Sequence, residues 1–227
     1  MKKLFIIQLV AVFVICSVAV VNAGSAKHGP SGKPVIKTMA SNAVKVGTVK
    51  NMKIMGKNFE QGATVQVGTL EEGITFAVTE VSVDGKKIKG TLSVPPSVVP
   101  GRKAISVTNP SYPDNPAVSK KGVKIIKRPA PSIGEVTPDS AMQGETVDIS
   151  ITGGNFYGYE ELTPALSFGE GTVITVNSVL VVSSTLLQAN ITVDPLEAVG
   201  FKSLTVTNPD GKSKTKDDVI SVTAATL

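Results

Sequence analysis

The sequence predicts an all-β protein: two β-sandwich domains of one kind in tandem, preceded by an export leader. Three observations carry this. The first 23 residues have the layout of a secretory signal. The remainder repeats itself once, at an offset of 97 to 99 residues. Within each copy, apolar residues alternate with polar ones at period two, and no stretch sustains a helical period.

The leader sets the compartment. Lys2 and Lys3 open it, an apolar run extends from Leu4 to Val21, and Val21-Asn22-Ala23 places small residues at the −3 and −1 positions of a cleavage site. A retained anchor is the alternative, since 18 largely apolar residues nearly span a bilayer. Gln8 and the small-residue exit favour cleavage, and Ile15 is too bulky before Cys16 for a lipoprotein site. Residues 1–23 are thus expected to be a signal peptide and 24–32 a flexible Gly/Ser/Lys linker. Cleavage removes Cys16, the only cysteine, so the exported chain has no disulfide, thiol nucleophile or cysteine metal site. It keeps 21 basic residues against 18 acidic ones. The lysines are scattered, with no concentrated basic face of the kind nucleic acid requires. No later segment is long and apolar enough to span a membrane.

The repeat divides the rest. Pro34–Phe59 aligns without a gap on Pro131–Phe156, with Pro34/Pro131, Ile36/Ile133, Gly47/Gly144, Ile54/Ile151, Gly56/Gly153, Asn58/Asn155 and Phe59/Phe156 identical. Thr91–Pro110 aligns on Asn190–Pro209, matching Val94/Val193, Pro96/Pro195, Gly101/Gly200, Lys103/Lys202 and the run Val107–Pro110 with Val206–Pro209. These 15 identities in 46 positions indicate a duplication. The copies span 33–127 and 129–224, each long enough to bury its own core.

Within a copy, runs such as Val147, Ile149, Ile151 or Leu204, Val206 read as half-buried strands, with Gly, Pro and Asn punctuating every 8–12 residues. With no tryptophan, the cores are built from Val, Ile and Leu. Gly47 and Gly144 fall in the turn between the first two strands, where positive φ suits glycine. Gly56–Phe59 and Gly153–Phe156, containing Asn58 and Asn155, close the second strand and return the phenylalanine to the core. Asn109-Pro110 and Asn208-Pro209-Asp210-Gly211 are turns, the second with full β-turn chemistry.

The pattern of Pro131, Ile133, Pro138, Gly144, Ile149, Ile151, Gly153, Asn155 and Phe156, followed by Val206–Gly211, resembles the IPT/TIG domain family. Copy one departs from it, with Ser41 at the second proline and Ser111-Tyr112 in place of Asp-Gly, and looks like a diverged member. The resemblance covers nearly all of 33–224. It implies an early-set immunoglobulin-like sandwich, a fold found as an accessory or interaction module, and brings no catalytic motif.

A catalytic set is not found. His28, the single histidine, lies in the linker, so no Ser-His-Asp or Cys-His arrangement can be assembled. The acidic pairs Glu71-Glu72, Glu160-Glu161 and Asp217-Asp218 read as solvated loop charges. A weak calcium site around Asp210 or Asp217 remains an option, although the spacing matches no dedicated calcium loop. No enzyme activity, metal or cofactor is expected. The candidate binding loops carry Tyr112, with Asp114 and Asn115 between flanking prolines, and Tyr157 with Tyr159. Loop order places Tyr157 and Tyr159 at the junction of the copies and Tyr112 at the free N-terminal tip. The expectation is an exported, non-catalytic interaction or structural protein of the periplasm or cell surface, with an envelope or extracellular protein as partner. The alternative is a carbohydrate-binding accessory protein using the loop tyrosines on a polysaccharide.

Overall fold

The computed structural model describes residues 32–39 and 43–225. The leader, the linker through residue 31 with His28, and Ser41 lie outside the described residues. In the first copy the strands are β1 (Val35–Met39), β2 (Ala43–Lys45), β3 (Thr48–Lys57), β4 (Thr64–Val67), β5 (Thr75–Val81), β6 (Lys87–Val94), β7 (Gly101–Thr108) and β8 (Ala117–Ile126). In the second they are β9 (Ser132–Thr137), β10 (Ser140–Met142), β11 (Thr146–Gly154), β12 (Ala165–Phe168), β13 (Ile174–Ser183), β14 (Leu186–Val193), β15 (Gly200–Thr207) and β16 (Ser213–Thr223). Among the described residues one 3-10 turn, Leu70–Glu72, interrupts the first copy. Among the described residues no helix is long and apolar enough to cross a membrane.

Both copies use one topology. Sheet β1-β3-β6-β5 packs on sheet β2-β8-β7-β4, and β9-β11-β14-β13 packs on β10-β16-β15-β12. That order is the four-plus-three arrangement of a constant-type immunoglobulin sandwich, with its first strand divided between the sheets. The chain is therefore two tandem immunoglobulin-like β-sandwich domains.

The divided strand departs from the sequence reading, which has one first strand ending at Gly47 or Gly144. Instead β1 and β9 pair antiparallel with β3 and β11, while β2 and β10 pair parallel with β8 and β16. Three-residue strands are too short to show a period, and their partners lie at the far end of the copy. Gly47 and Gly144 follow the second segment, at φ 59° and 77°.

Period two sets the core register. Ile88, Leu92 and Val94 on β6 are buried, as are Leu187, Ala189, Ile191 and Val193 on β14. Each domain closes its own cluster, with Phe59 and Phe156 at 1% and 2% exposure. The repeated glycines Gly56 and Gly153 are explained by close approach. A Cβ on either would meet the carbonyl of the first strand at 2.0 Å and the phenylalanine ring at 2.3 or 2.6 Å.

Candidate functional site

The repeated asparagines tie the loops at one end of each sandwich. Asn58 and Asn155 adopt φ of 57° and 59°, which asparagine tolerates better than branched residues. Their side chains donate to the carbonyls of Lys33 and Ala130, each 3.0 Å away and just ahead of the domain's first proline. Their own carbonyls accept from Asn109 Nδ2 (2.5 Å) and Asn208 Nδ2 (2.8 Å), both buried. Asn109 Oδ1 also accepts from the Glu60 amide, whereas Asn208 Oδ1 has no partner. After Asn208 the predicted turn forms, with Gly211 N–H donating to the Asn208 carbonyl and Gly211 at φ 79°. This lock defines the tip from which the tyrosine loops project.

At the tip of domain 2, the segment between β11 and β12 is longer than its counterpart between β3 and β4. Tyr159 and Leu162 exchange two backbone hydrogen bonds of 2.9 Å, closing a tight loop over Glu160 at φ 52°. That loop reaches domain 1. The Tyr159 hydroxyl lies 2.7 Å from Ser93 Oγ on β6, and Ser93 also donates to Glu160 at 3.5 Å. Tyr157 packs on Gly47, where an added Cβ would come within 2.4 Å of the ring.

Arg128 binds the two together. Its guanidinium sits 4.1 Å from the centre of the Tyr157 ring, a cation–π contact. The same group donates to the carbonyls of Val46 (2.7 Å) and Gly47 (2.9 Å) and to Thr48 Oγ1 (3.0 Å). Lys212 in turn donates to the Arg128 carbonyl and stands 3.8 Å from Asp210. Tyr157 and Tyr159 are consequently 6% and 9% exposed, closed off from solvent rather than presented to a ligand. Burial, then the Asp210 carboxylate, pushes the Tyr157 phenol up to about 12, and its hydroxyl makes no hydrogen bond of normal geometry. Burial also raises Tyr159, against the Ser93 hydrogen bond, which lowers it.

Tyr112 lies at the other tip, half-buried, with Asp114 and Asn115 exposed. Lys33 Nζ donates to Asn115 Oδ1 at 3.0 Å, and the Tyr112 amide closes a turn on Asn109. The structure thus brings Tyr157, Tyr159, Asp210 and Gly47 to one junction and leaves Tyr112, Asp114 and Asn115 apart from it.

Sequence reasoning missed two sets of residues. Arg128 appears in the sequence only as a linker residue, because its acceptors become neighbours only when the turn after β2 folds. The second is a pair of shielded ion pairs on the repeated lysines. Lys202 Nζ lies 2.6 Å from Glu197, which is 3% exposed, and Lys103 pairs with Glu72. The Lys103/Lys202 identity was the available signal, but the carboxylates come from different loops, so the repeat could not reveal them. Burial works against the Glu197 charge, yet Lys202 and the Val173 amide hold its carboxyl below the usual range. Among the described residues no three His, Cys, Asp or Glu side chains group as a metal site.

No protein-family model matches the chain, and no curated protein sequence matches it. Solved structures do resemble it. The full extracellular region of Plexin A4 is similar at 16% identity over 88% of this chain and 19% of that one, with a TM-score of 0.38. The surface glycan-binding protein PbSGBP-B from Prevotella bryantii is similar at 12% identity over 85% and 42%, with a TM-score of 0.36. A titin tandem is similar at 11% identity over 84% and 66%, with a TM-score of 0.43. The chain thus spans about a fifth of the length of the plexin region it matches. At these scores the likenesses carry no argument about ligand or activity.

Proposed function

We propose that this is an exported, non-catalytic interaction or structural protein of the bacterial envelope or cell surface, built from two IPT/TIG-type domains held as a semi-rigid pair. The observation that carries the reading is the junction. The aromatic and basic side chains best suited to bind something, Tyr157, Tyr159 and Arg128, are engaged in fixing one domain on the other. Export rests on the leader at residues 1–23, and the family on the repeated Gly-x-Asn-Phe and Val-Thr-Asn-Pro motifs. The polysaccharide alternative runs through Tyr112, the tyrosine that the junction leaves half-exposed.

Fractionation of expressing cells with mass analysis tests export: the expected form begins at Gly24 and is found in the periplasm or at the surface. Crosslinking from position 114 in intact cells is expected to trap a defined envelope protein. An unprocessed cytoplasmic chain overturns the reading. Retention on insoluble polysaccharide that Tyr112→Ser abolishes would favour the alternative.

A further inference from the structure

We propose that the outer face of the sheet β2-β8-β7-β4 binds an acidic polysaccharide through Lys45, Arg102, Lys121 and Lys124. The proposal rests on the reading of the chain as an exported interaction protein, and it adds a ligand class and a site apart from the Tyr112 tip.

The near balance of charge over the whole chain hides a division between the copies. Residues 33–127 carry 15 basic and 6 acidic residues, whereas residues 129–224 carry 4 and 12. Lysines scattered along the sequence are gathered by folding. The strands β2, β4, β7 and β8 hold Lys45, Arg102, Lys103, Lys120, Lys121 and Lys124 and no acidic residue. Three of these cations follow one another across adjacent strands. Arg102 is the register partner of Lys124, and Lys124 is that of Ala43, two residues from Lys45. Lys121 joins them from a bulge in which Lys120, Lys121 and Gly122 oppose the single residue Ala104. Glycine is required at 122, where φ is 26° and a Cβ would collide with the Lys103 carbonyl. Arg102 Nη1 donates to the Lys121 carbonyl at 2.9 Å, tying the bulge to β7.

Lys45, Arg102, Lys121 and Lys124 are exposed, and among the described residues none of them forms an ion pair. Acids on the surrounding elements are placed otherwise. Lys103 engages Glu72, which has Glu71 beside it in the turn after β4, and Asp210 of domain 2 faces Lys212 at 3.8 Å. Glu60 and Asp114 belong to the tip loops, at the far end of β7 from Arg102.

Like charges opposite each other on neighbouring strands cost stability, and the fold does not need them. Domain 2 builds the same sheet in the same register, with Phe201 opposite Ser221, Ser221 opposite Ser140, and a three-residue bulge opposite Ser203. At the positions matching Lys45, Arg102, Lys121 and Lys124 it has Met142, Phe201, Asp218 and Ser221, none of them basic. Four cations on a scaffold that the same chain also builds without them point to an anion outside the fold.

The rest of the face selects the class of anion. These four strands contain no aromatic residue, and among their described residues Val118 is the one large apolar side chain left exposed. A protein interface needs an apolar core, a membrane contact apolar anchors beside the cations, and single-stranded nucleic acid stacking rings. The face offers none of these. Lys45 and Arg102 stand two strand spacings apart, about 10 Å, so the patch spans more than one anionic group. Arg102 retains donors beyond the one given to Lys121, and a guanidinium matches a carboxylate. A hydrated polymer with carboxylates on successive sugars meets these conditions.

Calorimetric titration of the chain lacking residues 1–23 with polygalacturonate, at physiological salt and beside neutral dextran, tests this. Polygalacturonate is expected to bind, less tightly as salt is raised, and dextran is not. Lys45→Gln, Lys121→Gln and Lys124→Gln together should weaken binding about tenfold or more. The same loss of charge on the other sheet of domain 1, by Lys37→Gln, Lys53→Gln and Lys57→Gln, should change it no more than about twofold. Absence of binding, equal capture of dextran, or equal losses in the two triple variants overturns the proposal. So does tighter association with vesicles of phosphatidylglycerol and phosphatidylcholine in equal parts, or with duplex DNA. A wild-type dimer in sedimentation that the first triple variant abolishes would assign the face to a second copy and overturn it too. That variant should unfold at the wild-type temperature or above, because glutamine relieves the repulsion between Arg102 and Lys124. A lowered midpoint would make the cations part of the fold and count against a ligand. Loss of polygalacturonate binding overturns the site while leaving export standing, whereas an unprocessed cytoplasmic chain overturns the functional reading.

Discussion

Tyr157 and Tyr159 stand two residues apart in one loop, yet their hydroxyls have opposite surroundings. Tyr159 is hydrogen-bonded to Ser93, and Tyr157 is buried without a partner. A buried unsatisfied hydroxyl carries a desolvation penalty, whereas a made hydrogen bond contributes roughly 0.5–1.5 kcal/mol. Tyr157→Phe is therefore expected to hold or raise the unfolding midpoint while keeping the Arg128 contact, and Tyr159→Phe to lower it. Denaturant unfolding of both variants checks the contrast. The phenol of Tyr157 adds a pH signature. Because burial raises its folded pKa to about 12 from 10.0, the group leaves stability independent of pH below pH 10.0 and lowers it as pH climbs from there toward about 12, where the unfolded chain ionises first. Alkaline difference spectra should show a late tyrosinate component that Tyr157→Phe lacks. At this scale the sequence shows which tyrosines occupy which loops. It does not show the Arg128 fork, since no spacing links residue 128 to residues 46–48 before the chain folds.

At the scale of elements, the two copies reuse one lock with different completeness. Asn109→Ala would strand both the Asn58 carbonyl and the Glu60 amide, whereas Asn208→Ala strands the Asn155 carbonyl and removes an oxygen that has no partner. Each loss falls in the range of about 1–3 kcal/mol, with Asn109→Ala the larger. Calorimetry should resolve the two. The Glu197–Lys202 pair makes a second prediction. Its carboxyl is held below the ordinary 4.5, so the pair's contribution is full above pH 4.5 and declines as pH falls through the lower folded value. Lys202→Met leaves a buried carboxylate uncompensated, at a cost of about 3–5 kcal/mol near neutrality. That cost should shrink as pH falls, because without Lys202 burial favours the protonated carboxyl. The period-two pattern made strands such as β11 and β15 legible, because Ile149 and Ile151 on the one and Leu204 and Val206 on the other face the core. It could not reveal β2 and β10, which are three residues long and gain their hydrogen bonds from β8 and β16.

For the whole molecule, the repeat makes the number of sandwiches legible, but the contacts between them come from positions at which the copies differ. Lys127, Arg128, Pro129 and Ala130 bridge β8 to Pro131, and two rigid elements oppose free rotation there. Pro129 and Pro131 fix φ at two of the five positions from Lys127 to Pro131. Arg128 is held by three acceptors on domain 1 and by the Tyr157 ring from domain 2, so bending would have to break contacts on both sides. Tyr159 adds a tether on the far side of the loop, at Ser93. Replacing Tyr157 and Tyr159 together with serine removes the ring and the tether but touches neither core, since the two buried clusters contain neither residue. Each domain should then unfold with its own cooperativity largely preserved, while solution scattering at dilution shows a broader spread of interdomain angles than wild type. Arg128→Lys should broaden it less than the double replacement, because an ammonium keeps a charge near Tyr157 but cannot reach three acceptors as a fork. If the double variant scatters like wild type, the proline-bounded connection alone sets the angle, and the tyrosine loop has a task other than holding the domains together.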